Sequence, residues 1–238
     1  MEIILLIIKA LICYFIVTTL HEMGHIVIGL LSGFRFELFV IGPVGLKRNN
    51  YGKVVPYIEK NTAMWGGAGA TVPINYHDDN IKRFANILIG GPLTSLIFGL
   101  IILILNFHLQ NKFLFLLGVM AVSISIATLI PIRAGSFYSD GGRWLRIKQG
   151  GYPAKAEIAI IEFMQSYFAN KTYGKINIDH TKYLIKDKDP RNRYLGHYFA
   201  YKYYKENKQI EKAMEEQKAL STLAGEVPKN FVRLIREE

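Results

Sequence analysis

Three stretches of this chain are too long and too apolar to take water as their solvent. They are "IILLIIKALICYFIVTTL" from Ile3 to Leu20, "FANILIGGPLTSLIFGLIILILNF" from Phe84 to Phe107, and "FLFLLGVMAVSISIATLIPI" from Phe113 to Ile132. A helix needs about 20 mostly apolar residues to cross a bilayer. In hydrocarbon each backbone polar group must find its partner within the protein, so such runs are expected to be helices. The first run continues through "HEMGHIVIGLL" to Leu31. It has no basic n-region and no clear small-residue cleavage site, so it reads as a retained span and not a signal peptide. Lys9 is its one basic residue and can snorkel or face another helix. Cys13, the single cysteine, excludes an internal disulfide and reads as a small core or lipid-facing residue.

The remaining sequence divides by texture. Phe36 to Ile58, "FELFVIGPVGLKRNNYGKVVPYI", reads as short strands with "NNYG" as the turn between "VGLK" and "KVVPYI". "MWGGAGATVP", Met64 to Pro73, is a glycine-rich apolar loop: a close backbone approach, a shallow dip into the membrane, or a flexible surface loop. "QGGYP" ends this first part. After it, "AKAEIAIIEFMQSYFA" has helical spacing, and Tyr194 to Gly225 reads as two helices around "ENKQ". Ala200, Tyr204, Ala213 and Leu220 loosely resemble a tetratricopeptide hairpin, although one unit makes no array. The expected fold class is therefore mainly α and integral to the membrane. A three-span core with a small membrane-associated β segment occupies residues 1–149, with spans at about 3–31, 84–107 and 113–132. A soluble helical, tetratricopeptide-like tail occupies 150–238.

Charge orients the spans. The chain holds 29 Lys+Arg against 19 Asp+Glu, a net charge of +10. Arg35, Lys47, Arg48, Lys53 and Lys60 follow span one, and Lys82 and Arg83 precede span two. Only Lys112 lies in the short loop between spans two and three. Basic residues gather on the cytoplasmic side, which predicts an outside N-terminus and a cytoplasmic C-terminus in a multi-pass cell-membrane protein. The basicity is thus read as membrane orientation, with no nucleic-acid partner. The abundance of Ile, Lys, Asn and Tyr suggests a bacterial source with an AT-rich genome.

Ionisable groups are costly inside the bilayer and rare there without a task. "HEMGH" places His21, Glu22 and His25 at the cytoplasmic end of span one. On a helix, residues i and i+4 share a face, so two imidazoles can meet one metal ion while Glu22 stands beside it. This is the H-E-x-x-H arrangement, with two zinc ligands and a general base. A catalytic zinc site takes three protein ligands. Asp140, in "FYSDGGRWL", arrives on the required side and is the only acidic residue between Asp79 and Glu157. An ordinary Asx-turn helix cap is the alternative for Asp140. Asp78 and Asp79 compete as ligands from the polar stretch "NYHDDNIKR", where His77 reads as a surface residue.

HEMGH in the first helix, "GGPLTS" in the second and "LIPIRAGSFYSDGG" after the third resemble the site-2 protease family of intramembrane zinc metalloproteases, peptidase family M50. The resemblance covers residues 1 to about 145. It implies Zn2+ bound by His21, His25 and Asp140, with Glu22 as catalytic base. It also implies cleavage of membrane-spanning or membrane-adjacent peptides, as in regulated intramembrane proteolysis, with the 36–58 strands holding an unwound substrate by strand addition. Thr128 stands where many members carry Asn, and Ser95 where an Asn often follows Gly-Pro. The stretch from Pro131 to Asp140 is longer than in compact members. The expected partners are a membrane-protein or peptide substrate, the lipid bilayer, and a protein partner for the tail. The competing readings are a non-catalytic membrane scaffold of the same fold and, more weakly, a transporter using the histidines as a proton relay.

Overall fold

The computed structural model of the chain describes residues 2–49, 51–75, 77, 79–134, 137–229 and 231–232. Helix α1 runs Glu2–Leu31, followed by strands β1 (Phe34–Ile41), β2 (Val44–Arg48), β3 (Val54–Ile58) and β4 (Ala68–Pro73). Helices α2 (Asn80–Leu109) and α3 (Lys112–Leu129) follow, then the short strands β5 (Arg133–Ala134) and β6 (Phe137–Tyr138). Five further α-helices follow: α4 (Asp140–Gln149), α5 (Gly151–Asn170), α6 (Thr181–Ile185), α7 (Pro190–Glu206) and α8 (Ile210–Leu223). The protein is mainly helical, and α1, α2 and α3 are each long and apolar enough to cross a membrane. The chain divides into two compact units. One holds Met1–Val72, Lys82–Ile132 and Tyr138–Trp144, and the other Pro73–Ile81, Arg133–Phe137 and Leu145–Glu238.

In the first unit the three apolar helices meet through small residues, as helices in lipid do. A Cβ on Gly24 of α1 would lie 2.7 Å from the Gly90 carbonyl of α2, and one on Gly90 would lie 2.9 Å from the Gly24 carbonyl. Gly99 and Gly118 make the same reciprocal contact between α2 and α3, at 3.0 and 3.2 Å. Cys13 and Val17 of α1 are fully buried against Leu117 and Ala121 of α3. Cys13 is therefore a core residue. Most of the outward side chains of α1, from Ile3 to Ile12, are exposed apolar groups suited to lipid.

The four-stranded sheet of this unit has the order β3-β2-β1-β4. The β2–β3 hairpin is antiparallel, pairing Val44 with Ile58, Leu46 with Pro56 and Arg48 with Val54. It turns at "NNYG", where Asn49 accepts hydrogen bonds from the Tyr51 and Lys53 amides; Asn50 lies outside the described residues. One face of the hairpin carries Val44, Leu46, Val54, Pro56 and Ile58, all exposed. On the opposite face, the Lys47 ammonium sits 4.6 Å above the centre of the Tyr57 ring.

The second half of the glycine-rich stretch, Ala68–Pro73, is strand β4, while residues 65–67 are the turn that leads into it. Its glycines let β4 lie directly on α1. The Tyr14 hydroxyl donates to the Gly66 carbonyl, and a Cβ on Gly29 would lie 2.3 Å from Thr71 Oγ1. Gly67, at φ +119°, needs the freedom that only glycine has there.

In the second unit, Phe163, Leu184, Tyr194, Tyr198 and Phe199 build an aromatic core between α5, α6 and α7. Asp189 caps α7 by accepting from the Arg191 amide, and Pro190 occupies the first turn, where a missing N–H costs nothing. Arg146 is buried and bridges Glu157, at 3.0 Å, and Asp187. Asn192 and the Asp189 amide complete the Asp187 carboxylate at 2.9 and 3.0 Å. Burial pushes the Asp187 carboxyl up, but these donors and the Arg146 charge outweigh it and hold the group below its ordinary value.

Candidate metal centre

His21 and His25 project from one face of α1, one turn apart, with ring centres separated by 4.9 Å. Their Nε2 atoms lie 3.2 Å from each other. Asp140, the first residue of α4, places Oδ2 3.2 Å from His21 Nε2 and 3.5 Å from His25 Nε2. Among the described residues these three form a group able to hold a metal ion.

The far side of each imidazole is held by α2. His25 Nδ1 lies 2.7 Å from the Ile87 carbonyl oxygen. A carbonyl only accepts, so Nδ1 carries the proton, and in the neutral ring the Nε2 lone pair faces the cluster. His21 Nδ1 lies 3.0 Å from Ser95 Oγ, which is wholly buried and donates to the Gly91 carbonyl at 3.1 Å. Gly91 has no room for a side chain, because a Cβ there would lie 2.3 Å from His25 Nε2.

Asp140 arrives by a different route. After α3 the chain makes the β5–β6 pair and returns, so that the Ser139 amide donates to the Ile132 carbonyl at 3.1 Å. This turn absorbs the long stretch between Pro131 and Asp140. Ser139, and not Asp140, caps α4: its Oγ accepts from the Gly142 amide at 3.1 Å and donates to the Ile130 carbonyl at 2.6 Å. The Asp140 carboxylate is thereby left for the two histidines. Burial pushes its carboxyl up, but the two imidazoles facing it outweigh that and hold it well below the usual carboxylate range. Gly141 is required by contact, since a Cβ would sit 1.8 Å from the Leu129 carbonyl oxygen. Thr128 gives its hydroxyl to the Ile124 and Ser125 carbonyls in its own helix.

The donor set fits zinc. Ligands about 2.0–2.1 Å from a tetrahedral ion stand roughly 3.3–3.4 Å apart, close to the separations of 3.2, 3.2 and 3.5 Å. Two imidazoles and one carboxylate leave a fourth position open, the pattern of catalytic zinc sites. Where Nδ1 keeps each ring's proton, the two Nε2 atoms and Oδ2 are acceptors that a cation can bridge; a protonated ring instead donates to the Asp140 carboxylate, the contact that lowers that carboxyl's pKa.

Glu22 lies under the β4 segment. Cβ atoms on Gly67 and Gly69 would stand 3.1 and 3.0 Å from its Oε1 and Oε2, so larger residues would crowd the carboxylate. Of the competing acids, Asp79 is an exposed turn residue outside the cluster and Asp78 lies outside the described residues. His77 is exposed. Sequence reading missed the contacts of Ser95, the Ile87 carbonyl, Gly67, Gly69 and Ser139. "MWGGAGATVP" did signal close backbone approach, without saying to what.

Apolar helices α1 and α2, with Asp140 at the start of α4, thus hold a His–His–carboxylate cluster at the edge of the span region. The profile of peptidase family M50 matches residues 9–232, and the chain belongs to that family, the site-2 protease family. The match runs through the helical region, beyond the resemblance read from motifs alone. No curated protein and no solved structure matches the chain.

Proposed function

We propose that this protein is a zinc-dependent intramembrane endopeptidase that cleaves membrane-spanning or membrane-adjacent peptides. One observation carries the reading: His21 and His25 of α1 and Asp140 of α4 converge at zinc-like separations, with Glu22 one residue from His21. His21, His25 and Asp140 would hold the ion. Zinc so bound supplies Lewis-acid activation of a water molecule and of the scissile carbonyl. Glu22 accepts the proton of the attacking water and delivers it to the leaving amine. Gly67 and Gly69 keep side chains away from that carboxylate. β4 ends the sheet beside Glu22, so an unwound substrate adding as a further strand there would run past the reacting groups.

The exposed apolar face of the β2–β3 hairpin suits contact with lipid, and the charge pattern of the loops favours a multi-pass bacterial cell-membrane protein with a cytoplasmic C-terminus. The α7–α8 pair would serve as a tetratricopeptide-like docking element for a protein partner.

The test is Glu22→Gln. The variant should keep its zinc and lose cleavage of a model membrane substrate, because Glu22 is assigned as base and not ligand. Loss of metal in this variant would place Glu22 among the ligands and overturn the assignment; undiminished cleavage would overturn the catalytic role.

A further inference from the structure

We infer that Ser95 is a positioning residue for the metal centre, acting through His21. The inference rests on the zinc reading above. Ser95 lies on α2, 74 positions from His21 in sequence, and its Oγ is 3.0 Å from His21 Nδ1. The serine is fully buried. Its hydroxyl donates to the Gly91 carbonyl one turn back. With that proton given to Gly91, the oxygen accepts from His21 Nδ1–H, which leaves the Nε2 lone pair directed at His25 and Asp140. The Ile87 carbonyl does the same for His25. One helix thus fixes the ring orientation and tautomer of both histidines, one by its backbone and one by a side chain. Only the second can be removed by substitution.

Partners of this kind behind metal-bound histidines typically change metal affinity about 10–100-fold when lost. A purely structural role for Ser95 would not act on the ligand. Ser125 supplies the comparison: it is also fully buried, and its hydroxyl donates to the Pro92 carbonyl at 2.8 Å, but no histidine contact involves it. Both serines lose one hydroxyl on mutation to alanine and neither change adds bulk.

The experiment measures zinc affinity by chelator competition in detergent-purified wild type, Ser95→Ala and Ser125→Ala, together with the visible absorption of the cobalt(II)-substituted proteins. Ser95→Ala should bind zinc about 10–100-fold more weakly and shift the cobalt spectrum. Ser125→Ala should match wild type in both. Equal affinities for Ser95→Ala and wild type overturn the positioning role while leaving the zinc site standing. Equal weakening in both variants shows a general packing loss and also overturns it. A wild type that binds no zinc removes the metal reading and the inference together.

Discussion

His21 Nε2 and Asp140 Oδ2, 119 positions apart in sequence, lie 3.2 Å from each other. A residue that could have served as a helix cap instead faces two imidazoles, because Ser139 takes the cap. Asp140→Ala should therefore weaken zinc binding and stop proteolysis while the protein stays in the membrane. Asp140→Asn should be nearly as damaging, since it removes the negative charge that helps hold the cation. Asp79→Ala should be mild. Metal content and cleavage of a model membrane substrate check this; an Asp140→Ala enzyme working at the wild-type rate would remove Asp140 from the site.

Gly141→Ala changes no ligand, yet should reduce zinc binding. Its methyl would meet the Leu129 carbonyl at 1.8 Å, so α4 must shift and carry Asp140 with it. Gly142→Ala, whose nearest neighbour would be 3.1 Å away, should be the milder change. Zinc affinities for the two variants decide this, and a reversed order would contradict the close-contact argument.

Acid should loosen the helical unit through Asp187. Its carboxyl is held below its ordinary value, so its contribution is fully present above the unfolded value of about 3.9 and is lost as pH falls through the lower folded value. Arg146→Ala leaves Glu157 and Asp187 buried without their shared cation, at a cost of about 3–5 kcal/mol near neutral pH. That variant should also lose part of the acid dependence. Near-ultraviolet dichroism of the tyrosine-rich core, followed from pH 7 downward in both proteins, measures both effects.

A reporter fused at the C-terminus should be active only on the cytoplasmic side, from the Lys and Arg asymmetry between the loops. Activity restricted to the outside would reverse the topology. The metal cluster would survive that result, because its three ligands converge whichever way the bundle is inserted.

The apolar helices were legible because their length leaves a chain no alternative to helix in lipid. The β2–β3 turn was legible from "NNYG", and the breaks around α7 and α8 from "ENKQ". The strand β4 was not. Its glycines carry no alternating pattern, and what makes it a strand is its fit against β1 and α1. The spacing of His21 and His25 follows from helix geometry alone. The arrival of Asp140 does not, because the β5–β6 return is closed by one backbone bond and the Ser139 hydroxyl, all to Ile132, a contact that no residue periodicity encodes. Ser139 and Asp140 are both competent caps by residue type, and it is the fold that gives the cap to Ser139 and leaves Asp140 to the histidines.

The most direct measurement is the metal content of the protein purified in detergent without chelator. About one zinc per chain is expected in the wild type and little in His21→Ala or His25→Ala, because each removes one of the three protein ligands and weakens the hold on the ion. A wild type that is folded and carries no zinc, or a His25→Ala variant that retains it in full, would contradict the claim that this cluster is a metal centre.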